Sequence, residues 1–340
     1  MKILILKPSS LGDVVQALPV ARLIKRSLPS AEIHWWLNRE LVPLLEGDPD
    51  LTRVVPFDRV RWGRLEGLPL VISELRALRR ERYDWVIDLQ SLARSAVVSW
   101  LARGEFTIGL DDRREAAPAF FDVAVPRPGP RVHAVDWYLE VVRRLKIPVH
   151  FDFEWLPKRV AVAEAIRTRC PEPDAPWVAL QPGARWMNKR WPVERFIDVA
   201  RRLQTEHPGV RLAVLGGHSD QPMGAAIAAG GGAGVLDLTG RLSLPEMVEW
   251  IRLCRVMVTN DTGPMHVAAA LGRPVVGIFG PTDPARTGPY GAGHQVFTSS
   301  LACAPCLRSK CHWSDPLGCL KETNPVQVAD AVLMRLNAAR

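Results

Sequence analysis

Three short stretches of the chain carry residues whose types and spacing suit chemistry on a phosphorylated substrate. The first is Asn260-Asp261-Thr262-Gly263-Pro264-Met265-His266. An apolar strand (Val256, Met257, Val258) leads into it, and a helix opens at Pro264, where the missing N–H is not needed in the first turn. The N–H groups of Thr262 and Gly263 then point above the helix start. Free amides at the positive end of a helix dipole form an anion site, most often for phosphate. An aspartate beside a diphosphate would repel it, so Asp261 suits orienting the loop or binding sugar hydroxyls. His266 lies one turn into the helix. A single helix histidine is more often structural, but a charged imidazole would suit phosphate.

The second stretch is Pro182-Gly183-Ala184-Arg185-Trp186-Met187-Asn188-Lys189-Arg190-Trp191-Pro192, with a helix expected to open at Pro192. Lys189 is either a surface lysine or a fixed ammonium that takes up negative charge building on a departing diphosphate. The third is Ser9-Ser10-Leu11-Gly12-Asp13, where a first strand ends and a helix starts. By position alone Asp13 is a helix N-cap, worth about 1 kcal/mol, and Gly12 lets the backbone approach a ligand closely. Asp48-Pro49-Asp50 has D-x-D spacing but sits in a Gly-Asp-Pro turn and is taken as a turn. Cys303, Cys306, Cys311 and Cys319 follow C-x₂-C-x₄-C-x₇-C spacing, which could bind zinc or stay as reduced thiols. Cys170 and Cys254 read as isolated buried thiols.

These residues need elements to hold them. Strand-like and helical runs alternate along the whole 340-residue chain. Strands are expected at 2–7, 32–37, 53–56, 84–89 and 106–109, then at 177–181, 211–216, 235–238, 256–259 and 274–279. Helical periodicity lies between them, with Pro19 predicting a kink or late start in the first helix. Repeated βα units imply parallel sheets with helices on both faces. The proline-rich stretch 147–175 is the expected linker, so two domains follow from length and pattern together. Gly230-Gly231-Gly232 reads as a loop. Strand, glycine turn, helix, strand around residues 256–279 is a nucleotide-type βαβ unit, with its ligand expected at the carboxyl ends of the strands.

Composition narrows the partners. Apolar residues make up 47% and charged residues 24%, ordinary for a globular protein. No apolar run approaches the ~20 residues that span a bilayer. The opening Ile-Leu-Ile-Leu is too short for a signal-peptide core and lacks a cleavage site, which predicts a cytoplasmic protein in which disulfides are disfavoured. The formal charge of +8 favours anionic partners. Nucleic acid is disfavoured, because no helix-turn-helix, zinc-finger or RNP pattern accompanies the charge.

Taken together, N-D-T-G-P-M-H-V-A-A-A-L-G-R-P with G-P-T-D-P after it, the central P-G-A-R-W-M-N-K-R-W-P, and the opening M-K-I-L-I-L-K-P-S-S-L-G-D-V-V-Q-A-L-P resemble the ADP-heptose:lipopolysaccharide heptosyltransferases, glycosyltransferase family 9. The resemblance implies an α/β GT-B fold of two Rossmann-like, doubly wound domains facing a central cleft. It implies an acceptor-binding domain over 1–155, an ADP-heptose-binding domain over 156–322, and a terminal helix within 323–340 that returns to the first domain. Asp13 matches the proposed general base, taking the proton from the acceptor hydroxyl in a single displacement with inversion. Lys189 matches the phosphate-contacting lysine. Gly183, Ala184, Arg190, Leu242, Asp261, Thr262, Gly263 and His266 complete the expected donor site, with Asp220 a weaker candidate. Gly183-Ala184 departs from members with hydroxyl side chains there, so contacts at that point would come from backbone amides.

Val86–Ala96 and Arg131–Val135 look like the branch that adds the first heptose to Kdo of Kdo₂-lipid A. On the acceptor side this implies Ser9, Ser10, Gly12, Arg61, Arg64, Gln90, Arg94, Arg114 and His133, since arginine suits the Kdo carboxylate and lipid A phosphates. Trp35, Trp36 and Trp62 are either core or contacts to lipid headgroups. No catalytic metal and no cofactor are required, with magnesium left as a loose stimulant. Peripheral contact with the cytoplasmic face of the inner membrane is implied. The branch adding the second heptose, and a non-catalytic nucleotide-sugar binder of the same fold, are the rival readings. A dehydrogenase is excluded by P-S-S-L-G-D in place of G-x-G-x-x-G.

Overall fold

The computed structural model describes residues 1–112 and 115–338, which divide into units Met1–Pro157 and Lys158–Arg340. In the first unit, strands β1 (Lys2–Leu6), β2 (Glu32–Asn38), β3 (Arg53–Phe57), β4 (Trp85–Asp88), β5 (Phe106–Asp111) and β6 (Val123–Pro126) form one parallel sheet in the order β3-β2-β1-β4-β5-β6. β1 is central, pairing Ile3 with Ile33 on one side and with Trp85 on the other. The helices are α1 (Leu11–Ser27), α2 (Val42–Leu45), α3 (Arg59–Trp62), α4 (Leu68–Arg80), α5 (Ala93–Ala102) and α6 (Ala134–Arg144). β1 and β2 read as nearly continuous apolar runs because both faces of a parallel sheet are covered, and Ile3 to Leu6 are fully buried.

α1 starts at Leu11 and runs through Pro19 to Ser27, so the predicted late start does not occur. Proline costs a helix interior about 3 kcal/mol, but every residue from Val14 to Ile24 is buried, and that packing offsets it. Trp35 and Trp36 are core residues, not headgroup contacts. Trp36 stacks on Phe57, and half-buried Trp62 joins them. Asp48-Pro49-Asp50 is the expected turn. Its carboxylates clamp Arg22 from α1, with Asp48 bidentate at 2.5 and 2.6 Å and Asp50 at 2.8 Å.

The second unit repeats the plan. Strands β7 (Trp177–Gln181), β8 (Arg211–Val214), β9 (Val235–Asp237), β10 (Val256–Asn260), β11 (Val275–Ile278) and β12 (Gln295–Phe297) are parallel, in the order β12-β11-β10-β7-β8-β9. Its helices are α7 (Val160–Arg169), α8 (Val193–Glu206), α9 (Gln221–Gly231), α10 (Leu244–Leu253), α11 (Gly263–Ala270), α12 (Pro284–Thr287), α13 (Gly318–Lys321) and α14 (Pro325–Ala338). The triple glycine is not all loop, since Gly230 and Gly231 finish α9 and Gly232 ends it at φ +104°.

α14 corrects an expectation. It does not belong with the first domain: Val328, Ala329, Ala331, Val332 and Leu336 are buried in one core with Val178, Leu180, Phe196 and Val258. Its neighbours are α8, β10 and β11. The apolar stripe of this helix packs on the sheet of its own unit. Among the described residues no helix is long and apolar enough to cross a membrane.

Candidate active site

In an open parallel sheet, ligands bind beyond the carboxyl ends of the strands where the chain order reverses. In the second unit that point lies between β7 and β10. β7 leads into Pro182-Gly183-Ala184 and the short turn Met187–Lys189, while β10 leads into Asp261 and Thr262, the N-cap of α11. The switch point therefore brings together two of the stretches singled out in the sequence. Lys189 Nζ lies 2.6 Å from Asp261 Oδ2, and the same oxygen accepts the Thr282 hydroxyl at 2.7 Å. Lys189 Nζ also sits 4.6 Å from the centroid of the Trp186 ring. Asn260 fixes the two loops to each other: its Nδ2 donates to Pro182 O at 2.7 Å, and its Oδ1 accepts Trp191 N–H at 3.1 Å.

A cavity of about 480 Å³ opens beside this cluster and is lined by Gly183, Ala184, Arg190, Leu242 and Thr262 among others. Five of the predicted donor residues thus share one wall, with Lys189, Asp261, Gly263 and the buried His266 adjoining it in chain. Gly183 is required: a Cβ there would lie 2.3 Å from an oxygen of the Asp220 carboxylate. Asp220 accepts Gly217 N–H at 3.0 Å and lies 3.6 Å from Arg190, whose Nε donates to Ala184 O at 2.9 Å. Leu242 enters just ahead of α10, whose N-cap Ser243 is locked by Glu246. Arg169 and the Ser243 donors hold the Glu246 carboxyl down at about 2.

The first unit has its own switch point, between β1 and β4. Ser10 is the N-cap of α1 and Asp13 its third residue. Both the N–H and the hydroxyl of Ser10 donate to Asp13 Oδ2, at 2.9 and 2.6 Å, which orients the carboxylate. Gly12 is buried behind it. A cavity of about 200 Å³ is lined by Ser9, Gln90 and Arg94, and also by Arg59, Trp36 and Glu115. Arg61 and Arg64 are exposed and line no part of it; Arg59, on the other side of the α3 turn, takes that place. His133 is the N-cap of α6, its Nδ1 accepting Val135 N–H at 3.2 Å. Arg114 lies outside the described residues.

Sequence reasoning passed over several groups. Thr282 sits in the quoted G-P-T-D-P, and its hydroxyl on Asp261 is visible only in the structure. Gln181 ends β7 at the wall of the second-unit cavity, and its buried Oε1 has no hydrogen-bond partner among the described residues. Gln90, which the sequence reading did place on the acceptor side, has its Oε1 in the same condition beside the first-unit cavity. Beneath Asp13, Lys7 is buried, donates to Leu89 O at 2.9 Å and faces the Tyr138 ring at 5.0 Å. Burial alone would lower Lys7, but Tyr138, Asp13 and Asp88 outweigh it and hold the ammonium above its ordinary value. Burial pushes the Asp88 carboxyl up to about 6, against donors on Ser91, Ser95 and Gln90 and the charge of Lys7. A lysine ending an apolar strand and an aspartate in Val-Ile-Asp-Leu were the available signals.

Two doubly wound units, one with a cation and a helix N-terminus at its switch point, define a nucleotide-binding α/β protein of the GT-B class. Residues 71–315 match the sequence model of glycosyltransferase family 9 (heptosyltransferase), and the chain belongs to that family. It is 32% identical to lipopolysaccharide heptosyltransferase 1 of Pseudomonas aeruginosa, over 92% of this chain and 87% of that protein. It is 30% identical to lipopolysaccharide heptosyltransferase 2 of Salmonella typhimurium, over 85% of each. An Escherichia coli heptosyltransferase solved with ADP shares the fold at TM-score 0.80 and 24% identity, covering 98% of this chain and 100% of that one. The protein is a glycosyltransferase.

Proposed function

We propose that this enzyme transfers L-glycero-D-manno-heptose from ADP-heptose to Kdo of Kdo₂-lipid A, with inversion and without a required metal. The observation that carries the donor half is Lys189, held by Asp261 at the β7/β10 switch point beside the start of α11. As the bond from the anomeric carbon to the diphosphate oxygen breaks, negative charge moves onto the ADP. Lys189 and the amides of Thr262 and Gly263 meet that charge. Leu242 covers the base, and Gly183-Ala184 offers only backbone to the ligand. Asp13 removes the proton from the acceptor hydroxyl as its oxygen attacks the anomeric carbon, its carboxylate aimed by Ser10.

Arg94, Arg59 and Gln90 are the acceptor-binding groups that the first-unit cavity supports. Peripheral contact with the cytoplasmic membrane face is supported by exposed Val60, Leu68 and Ile72 among Arg59, Arg61 and Arg64. The first-heptose assignment draws on the 32% identity to a heptosyltransferase 1. Transfer of the second heptose is the alternative, favoured by the nearly equal 30% identity to a heptosyltransferase 2.

Incubation with ADP-heptose and Kdo₂-lipid A, followed by ADP release and product mass, tests the proposal. A heptose-sized gain that persists in EDTA supports the donor, the acceptor and the absence of a required metal, and the anomeric configuration of the product by NMR tests inversion. Gain only on an acceptor already bearing one heptose moves the enzyme to the second step, and transfer to neither overturns the substrate assignment.

A further inference from the structure

Residues 298–317 form a segment without helix or strand between β12 and α13. Irregular segments of this length inside a domain are uncommon and ordinarily have a function or a cross-link. This one carries Cys303, Cys306 and Cys311, and Cys319 follows it in α13. Cys303, Cys306, Cys311 and Cys319 line a single cavity of about 330 Å³ and none is in a disulfide. Cys311 Sγ accepts the N–H of Leu317 at 3.5 Å, the kind of donor that supports a sulfur carrying negative charge. Arg308 and Lys310 line the same cavity, so a net negative centre would meet compensating cations.

We propose that Cys303, Cys306, Cys311 and Cys319 form a tetrathiolate site for a divalent ion of the zinc or iron class, and that the closed loop braces the segment carrying Lys189. Four sulfurs at C-x₂-C-x₄-C-x₇-C spacing fit tetrahedral soft-ligand coordination, with metal–sulfur distances of about 2.3 Å. As placed, no three such side chains among the described residues already form a metal-holding group. Binding therefore draws the sulfurs inward. Each thiol that binds releases its proton to solvent as the metal–sulfur bond forms, so up to four protons leave per ion.

The bracing follows from two hydrogen bonds and one close packing. Asn188, the neighbour of Lys189, donates from Nδ2 to Arg308 O at 2.9 Å. Leu307 N–H donates to Pro281 O at 2.7 Å, next to Thr282, whose hydroxyl holds Asp261. Gly280 packs on Cys319 so closely that a Cβ would lie 2.8 Å from its sulfur. Ordering this loop thus orders both sides of the Lys189–Asp261 pair. The bracing rests on the donor assignment made above, whereas the metal site does not.

The test is metal content of the chain as purified under reducing conditions, then reconstitution of the chelated protein with Zn²⁺ or Co²⁺ alone. The expected result is one ion per chain, a Co²⁺ spectrum of the intense tetrahedral thiolate type, and loss of stoichiometric binding in both Cys306→Ser and Cys319→Ser. Removal of the ion from the wild type should weaken ADP binding about tenfold, with recovery on adding Zn²⁺. Because the wild type is compared with itself, a variant that fails to fold leaves the experiment decisive. Substoichiometric metal, an octahedral Co²⁺ spectrum, or unchanged binding in both variants overturns the site. One ion per chain with unchanged ADP affinity overturns the bracing. Absence of ADP binding in any state would count against the donor assignment, while the metal stoichiometry still decides the site.

Discussion

The ammonium of Lys189 is held 2.6 Å from the carboxylate of Asp261, so the cation proposed to meet a diphosphate already has a counter-charge supplied by the protein itself. The pair is largely buried, with 18% and 7% of the two side chains exposed. The aspartate lowers the net positive field, but with Thr282 it also fixes where the lysine stands. Removing one partner from a buried pair costs more than removing both, because a bare charge remains.

Lys189→Ala therefore leaves Asp261 facing the phosphates. ADP affinity should fall by at least tenfold and kcat by 10²–10³-fold. The double variant Lys189→Ala/Asp261→Asn should bind ADP more tightly than Lys189→Ala alone. Calorimetry on the wild type, both single variants and the double variant measures the coupling. Wild-type affinity in Lys189→Ala would remove the diphosphate role.

Asp13→Asn keeps the shape at the start of α1 but cannot accept a proton. Turnover should drop by roughly 10²–10⁴-fold, the usual worth of a positioned base, with ADP affinity within about twofold of wild type. Ser10→Ala, which removes only the 2.6 Å hydroxyl contact, should cost far less. Equal losses in the two variants would mean that the carboxylate acts through helix capping and not as a base.

Gly183→Ala places a methyl against the Asp220 carboxylate, where the nearest oxygen would be 2.3 Å away. Asp220 cannot retreat without giving up Gly217 N–H and Arg190. The loop after β7 must shift, and ADP affinity should fall by about tenfold or more, with a stability loss of 1–3 kcal/mol. A thermal melt and an ADP titration on the same sample separate the two effects.

How far the sequence foretold these features depended on their range. The β7–β11 stretch was legible because apolar strands, glycine turns and helix-opening prolines are local signals, and the motif residues sit where those signals end. Lys189 and Thr262 sit at such ends, whereas Asp13 reads from its position as a helix N-cap and gains the role of a base only from the family resemblance. The Lys189–Asp261–Thr282 contact joins residues 72 and 21 positions apart, and nothing in either neighbourhood announces it. β6 and β12 went unread because each is a short edge strand with little apolar alternation. The destination of α14 failed for a related cause: its periodicity shows that it must bury one face, but not against which sheet. Arg61 and Arg64 were chosen over Arg59 because spacing cannot tell which side of a one-turn helix faces a cavity.

Asp88 gives the pH-dependent prediction. Its carboxyl is fully buried on β4, facing Lys7, and is pushed from 3.8 up to about 6 chiefly by burial. Between those values the folded chain holds a proton that the unfolded chain has lost, so protonation favours the fold. That contribution is complete below pH 3.8 and is lost as pH rises through 6. The interval corresponds to ~3 kcal/mol. Asp88→Asn keeps an oxygen for the N–H groups of Gln90 and Ser91 and never ionises. Its stability relative to wild type should rise by about 2–3 kcal/mol between pH 4 and 7, roughly half of that above pH 5, and level off above pH 6–7. Urea unfolding of both proteins at pH 4, 5, 6 and 7 measures this directly. A wild type that gains stability over the variant as pH rises would show that ionised Asp88 is needed as the counter-charge to Lys7, and that the attraction between them exceeds the cost of burial.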